Sequence, residues 1–436
     1  MFYTSILLWL HAWFDTARLQ SAITGPKFPS LKLEWTSVDS FQGAYFVNIQ
    51  VGTPPQTIRL VHDSASSDIF LHSTADTAYL ASCAAQTPPI CSPLYDNTTS
   101  TTHKEIGPNK YQPPILGLAA ANGSYITETL HIPGATIHSQ IMGSTWSASI
   151  PVGILGTGFP RTQAGAITGL YPRYPSLITR MVSDGTIAAQ TESIWLDPTR
   201  SDPDSFPPGQ ALYGAVDTSL FTGELVTLPA VEPRSSPVRK SDDPTNWNLV
   251  LGSVTTSTHP GTNLLANSSS ISCVIDTGTA FFALPNSSFV NLVASFPSAV
   301  LNSSVQGFPP FWQVPCAERE DPGNALLFTL VDPDDAAINV TVTVPPWLVV
   351  WPTHDLVPGG DRDTCALNAL AWEAYFGDGD FGRKYECVLG VSVMKAAYWV
   401  LDTGRREASV ATAVARGHRP GRVVGVPKGG VRKLKL

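Results

Sequence analysis

The sequence predicts an all-β protein built as two related lobes with a cleft between them. Three observations carry this. At 436 residues the chain is too long for one ordinary hydrophobic core. Charged residues make up only 14% of it, while 34 Gly and 37 Pro accompany abundant Ser and Thr, the composition of many strands joined by tight turns. Finally, an apolar strand running into an aspartate occurs twice, as Ile58-Arg59-Leu60-Val61-His62-Asp63-Ser64-Ala65-Ser66-Ser67 and as Ile271-Ser272-Cys273-Val274-Ile275-Asp276-Thr277-Gly278-Thr279. Each copy is followed far downstream by an apolar-apolar-Gly element, Ile154-Leu155-Gly156 and Val388-Leu389-Gly390.

Residues 1–40 read as a leader and short pro-segment. Phe2–Phe14 has the length of a signal-peptide apolar region, although no basic residue precedes it. It is too short to span a bilayer, and no other uninterrupted apolar run reaches spanning length, so no integral membrane segment is expected. Ala44–Val51 and Thr57–Val61 read as strands around a turn forced by Gly52-Thr53-Pro54-Pro55-Gln56. Short helices are expected around Pro175–Asp184 and Asn286–Phe296, and polar loops over 196–210 and 231–246. The division that follows is a lobe over 41–215 with Asp63 and a lobe over 216–411 with Asp276. Of the 27 basic side chains, seven crowd into residues 412–436, whereas all 35 acidic ones lie before residue 412. The basic tail is expected to be disordered. The acidic body argues against nucleic acid as a partner and suits work at low pH.

Six cysteines lack the close CxxC pairs of a zinc site. Six Asn-x-Ser/Thr sequons occur, at Asn97, Asn122, Asn267, Asn286, Asn302 and Asn339. Together these point to the secretory route and a secreted, or vacuolar, glycoprotein. The nine histidines show no metal-ligand spacing, and neither metal nor cofactor is expected. His62 follows strand alternation to the face opposite Asp63 and reads as structural. Gly153-Ile154-Leu155-Gly156-Thr157-Gly158 superficially resembles a phosphate loop but has no lysine and no following βα pattern. No nucleophile-elbow sequence supports a Ser-His-Asp triad.

Two aspartates, each with its own distant partner strand, describe a duplicated half-site. Two carboxylates in contact cannot both ionise easily, so they share a proton and can activate a water. In this order of elements the chain resembles the pepsin-like aspartic peptidases, particularly secreted fungal ones, from about Phe41 to about Ala411. Tyr45-Phe46-Val47-Asn48-Ile49-Gln50-Val51-Gly52-Thr53-Pro54-Pro55-Gln56 is similar to the family's entry strand and turn. Ile194-Trp195-Leu196 with Ala211-Leu212-Tyr213-Gly214-Ala215-Val216-Asp217-Thr218 is similar to its inter-lobe crossover, and Ala397-Tyr398-Trp399-Val400-Leu401-Asp402 to its terminal strand. The resemblance implies an acid endopeptidase, acting as a monomer on extended peptides, with Asp63 and Asp276 as the catalytic dyad. It implies that Ser64 and Thr277 join the lobes beneath the dyad, that Ser66 and Thr279 bond the outer carboxylate oxygens, and that Gly278 completes the second turn. It also implies bridges Cys83–Cys91 and Cys316–Cys365. That leaves Cys273 with Cys387, on strands expected to be neighbours.

The chain departs from the family in three places. Ala65 stands where glycine is usual and brings a Cβ close to the carboxylates. The flap tyrosine falls on Leu116, followed by Gly117, and its usual tryptophan partner falls on Phe70; Tyr111 lies near if the register differs. Losing both polar partners leaves no buried donor unpaired, so the flap becomes an apolar lid. Leu116, Phe159, Phe281 and Phe282 point to hydrophobic side chains beside the cut bond, with core packing the alternative for the phenylalanines. The departures leave open a second reading, a catalytically weak or inactive pepsin-fold binding protein. A carbohydrate-binding β protein is a third, and its sugar binding would not depend on Asp63 or Asp276.

Overall fold

The computed structural model describes residues 28–436 apart from 37–42, 85–90, 116–118, 201–205, 234–239, 304–309, 354–359, 361–362 and 374–384. Strands dominate. The Asp63 strand, Gln56–Asp63, lies between Ala44–Val51, antiparallel, and Gly153–Gly156, parallel, with Asp63 opposite Gly156. The Asp276 strand, Ile271–Ile275, repeats the arrangement: Val388–Leu389 runs parallel to it, with Ile275 opposite Leu389. Each downstream apolar-apolar-Gly element thus lies beside its aspartate strand.

Fourteen strands form one continuous sheet and seven form another. At one end of the large sheet, Phe221–Pro229, Glu407–Ala413, Ala397–Asp402, Thr191–Trp195, Gly209–Tyr213 and Ser30–Thr36 lie side by side, so strands from both halves share one layer. The Asp276 half builds the seven-stranded sheet around Asn248–Thr256 and Ile271–Ile275. Apolar side chains of both halves merge into one buried cluster containing Leu60, Leu155, Trp247, Ile275 and Leu389. Phe159 meets Trp247 across it with ring centroids 4.3 Å apart. The two expected helices are Leu177–Ser183, capped by the Ser176 hydroxyl, and Asn286–Ala294.

Two parts of the chain differ from the sequence reading. Ser30–Thr36, placed in the leader and pro-segment, is a strand paired with Gly209–Tyr213 and then Ala44–Val51; Leu31 and Leu33 alternate into the core. The basic tail is ordered rather than disordered. Val423–Gly425 pairs with Ala215–Asp217, and Val426 and Val431 are buried against Trp195 and Tyr398. Its cations find local partners: Arg416 lies 4.9 Å from the Trp195 ring centroid, Arg419 donates to the Phe221 carbonyl, and Arg432 bonds Glu407 at 3.0 Å. Val424, Val426, Val431 and Leu434 anchor the tail, and a count of charges does not register them.

The disulfides are Cys83–Cys91, Cys273–Cys387 and Cys316–Cys365. Cys273–Cys387 closes 114 residues and ties the Asp276 strand to its parallel neighbour. Replacing both cysteines by serine is expected to lower the unfolding free energy by ~2–4 kcal/mol. Urea unfolding followed by tryptophan fluorescence measures this, and an unchanged midpoint would refute it.

Candidate active site

Each aspartate sits where a strand leaves the sheet and turns, and the turn's own donors hold its carboxylate. Oδ1 of Asp63 accepts from the backbone N–H of Ala65 and of Ser66, both at 2.9 Å, and Oδ2 accepts from the Ser66 hydroxyl at 2.5 Å. Oδ1 of Asp276 accepts from the Gly278 N–H at 2.7 Å, and Oδ2 from the Thr279 hydroxyl at 2.6 Å. The downstream elements pin these turns through backbone bonds. Thr157 N–H donates to the Asp63 carbonyl and Gly158 N–H to that of Ser66; Asp276 N–H donates to Leu389 and Val391 N–H to Thr279. The approach is so close that only glycine fits: a Cβ on Gly156 would lie 2.5 Å from the Asp68 carbonyl oxygen, and one on Gly390 2.1 Å from that of Phe281.

Beneath the carboxylates the two turns grip each other reciprocally. Ser64 N–H donates to Thr277 Oγ1 at 2.9 Å, and Thr277 N–H donates to Ser64 Oγ at 3.1 Å. The hydroxyls pass their own protons onward, Ser64 to the Ile275 carbonyl and Thr277 to the His62 carbonyl. Ser64 and Thr277 are fully buried.

The carboxylates face one point. A Cβ added to Gly278 would lie 2.8 Å from Asp63 Cγ and 3.1 Å from Asp276 Oδ1. Burial pushes the Asp276 carboxyl well above the usual carboxylate range, and the charge of Asp63 and a hydrogen bond with it push the same way; Thr279 and Gly278 oppose them.

Residues 44–413 match the family described as "Eukaryotic aspartyl protease". The chain belongs to that family. This protease is 27% identical to "Probable aspartic-type endopeptidase OPSB" of Trichophyton verrucosum, covering 91% of its own length and 75% of the relative's. It is 27% identical to "Aspartic protease 1" of Caenorhabditis elegans over 95% and 90% of the two chains. The crystal structure of an aspartic proteinase from Irpex lacteus superposes with a TM-score of 0.65 at 20% identity, covering 89% of the protease and 99% of that chain, a likeness of fold.

The protease accommodates its departures differently. Ala65 is half-buried, and its methyl packs on a cluster from the opposite half that includes Val274, Phe281 and Leu370, while its N–H still holds Asp63. Phe70 is buried among Tyr111, Tyr125 and Ile150, with the Tyr111 ring centroid 5.8 Å away. Tyr111 is itself fully buried in that cluster. Leu116 and Gly117 lie outside the described residues. Phe159, Phe281 and Phe282 are all buried, with Phe282 fully so in the core against Phe328. Among the described residues no group of His, Cys, Asp or Glu is arranged to hold a metal, and no helix is long and apolar enough to cross a membrane.

His62 is more closely tied to the site than its strand position implied. Its ring is fully buried, with Nδ1 3.0 Å from Thr277 Oγ1 and Nε2 2.8 Å from Glu192 Oε1. Glu192 stands 130 residues away on Thr191–Trp195, so no local pattern in the sequence announces the pair.

Proposed function

We propose that this pepsin-like aspartic peptidase is an active endopeptidase that hydrolyses peptide bonds through a water held between Asp63 and Asp276. The observation that carries the reading is the carboxylate pair with its reciprocal Ser64–Thr277 support. Asp63 receives three donated hydrogen bonds and Asp276 two, which favours the charge on Asp63 and the proton on Asp276. The charged member takes a proton from the water, and the protonated member donates to the carbonyl oxygen of the scissile bond. Such a dyad works in acid, where one proton remains on the pair. Both aspartates come from one chain, so a monomer is complete.

Substrates are extended peptides with hydrophobic side chains near the cut. Phe281, in a buried cluster against which Ala65 of the first turn packs, supports this side-chain preference better than Phe282, which lies in the core against Phe328. The secretory route is supported by four exposed sequon asparagines, Asn97, Asn267, Asn286 and Asn339, alongside the three disulfides.

The test is cleavage of a quenched hydrophobic peptide library by the full, acid-treated chain between pH 3 and 7, with and without a statine inhibitor. Acid-dependent cleavage blocked by statine is expected. A folded protein that cleaves nothing would instead be a pepsin-fold binding protein.

A further inference from the structure

We propose that His62, paired with Glu192, is a positioning residue that commits the Thr277 hydroxyl to the grip beneath the dyad and makes that commitment depend on a proton. The inference rests on the endopeptidase reading and adds a regulation of the same site.

The argument is a count of protons and lone pairs around Thr277 Oγ1, which has one proton to give and two lone pairs. Three groups surround it. The Ser64 N–H at 2.9 Å can only donate, and the His62 carbonyl at 3.0 Å can only accept. His62 Nδ1, also at 3.0 Å, can do either. When the ring carries both protons, Nδ1–H and Ser64 N–H fill the two lone pairs, and the Thr277 proton has one destination, the His62 carbonyl. Nε2–H then meets the Glu192 carboxylate at 2.8 Å, a charge-assisted bond between fully buried groups. Every partner of Thr277 Oγ1 is then satisfied, and Glu192 meets the ring through Oε1. When the ring is neutral with its proton on Nε2, Nδ1 becomes an acceptor and competes with the His62 carbonyl for the single Thr277 proton. One buried acceptor is then left short. The other neutral tautomer sets a bare Nε2 against the Glu192 carboxylate.

Several titratable groups stand near His62 and Glu192. In register, Glu192 lies between Tyr213 and Leu401. Burial, followed by the charge of Glu192, holds the Tyr213 phenol well above its ordinary value, so Tyr213 stays neutral. The parallel strand sets Leu155 beside His62. On the neighbouring strand Asp402 stands opposite Thr191, and Asp63 and Asp276 are reached through Ser64 and Thr277. Ser64 follows Asp63 and Thr277 follows Asp276, so redirecting one hydroxyl disturbs both turns at once. Histidine is the side chain whose charge changes between about pH 5 and 8. Acid therefore completes the lattice, and a rise towards neutral loosens it. The consequence is a loss of kcat added to the titration of the dyad itself, with KM unchanged because no substrate contact is altered.

The test uses the full chain labelled with 15N-histidine and 15N-serine, followed by NMR from pH 3 to 8, with His62 assigned by its disappearance in His62→Phe. His62 Nδ1 is expected to be protonated at pH 4 and to lose its proton as pH rises, the Ser64 amide shifting with the same midpoint. Glu192→Gln, which keeps the shape of the side chain, should lower that midpoint by about one pH unit, a tenfold change in proton affinity. In His62→Phe/Glu192→Leu, which leaves no carboxylate stranded, the alkaline limb of kcat should move up by about one pH unit, again tenfold at fixed pH. A ring nitrogen bare at every pH, a Ser64 amide that ignores the ring, or a kcat profile identical to the parent would each overturn the proposal. A parent that cleaves nothing would remove the endopeptidase reading, while the NMR titration would still decide the role of His62.

Discussion

Asp276→Asn is expected to lower kcat by at least about 10³-fold at pH 4, near the upper range for loss of a general acid–base group. The substitution is nearly isosteric. Asparagine keeps an oxygen for the Gly278 N–H, and its amide can donate to the Thr279 hydroxyl, which now accepts. The turn therefore keeps its two tethers, and the Ser64–Thr277 grip is untouched. What disappears is the shared proton, because an amide cannot be a carboxylic acid in one step and a carboxylate in the next. Asp63→Asn should fall by a similar factor, since the two act as one unit and their losses do not add. Single-turnover cleavage of a peptide found by the library screen measures this, with circular dichroism confirming the fold. Residual activity above a few per cent of the parent's would show that the bond is broken without this pair.

The facing pair of aspartates was legible in the sequence because each half of it is a local pattern. An alternating strand, an aspartate at its end, a hydroxyl residue after it and an apolar-apolar-Gly partner are short-range signals, and their repetition carries the weight. The glycine of each partner element answers to a steric demand that the structure makes explicit: Gly156 and Gly390 abut the carbonyls of the turns they support. The parts that escaped depend on residues far apart in the chain. Glu192 reaches His62 only because the crossover strand Thr191–Trp195 passes beneath the site. Strand alternation turned His62 to the face opposite Asp63, where it is fully buried, but it could not say what waits there. The tail failed for a related reason. Its seven cations dominate the composition, yet Val426 and Val431 decide where it lies, and its strand partner is more than 200 residues earlier. Ala65 reads as an intrusion when only its own turn is considered. In the fold its methyl meets an apolar cluster of the other half.

The folded protein is expected to be most stable near pH 4 and to lose stability as the pH rises to 7. Three buried carboxyls set the direction. Burial raises Asp68 from 3.8 to about 6, against bonds from Tyr174 and the Ala164 N–H. Burial also raises Asp402 to about 6, against the Arg405 N–H and the Arg405 charge. Asp276 is raised by burial and by Asp63. A carboxyl raised in the fold binds more protons folded than unfolded across the interval between its two values, so its contribution is full below about pH 4 and falls as pH rises. Asp68 and Asp402 each move by roughly two pH units, worth about 3 kcal/mol apiece. Asp76 works in the opposite sense: although burial pushes it up, bonds from His72, the Tyr79 N–H, Thr145 and the Ala148 N–H hold it below its ordinary value. Its stabilisation is present above about pH 4 and is lost in stronger acid, which sets the lower side of the optimum. Lys395, fully buried, is lowered to about 7 by burial, so between about pH 7 and 10 the unfolded chain binds more protons and stability recovers. The fall therefore belongs to the interval from 4 to 7. Calorimetry of the statine-free protein should show Tm dropping by about 10 °C over that interval. Asp68→Asn keeps both partners of Asp68 and removes its titration, so it should flatten the slope. A Tm that rises from pH 4 to 7, or an equally steep slope in Asp68→Asn, would mean that these carboxyls are solvated in solution and do not control the stability of the fold.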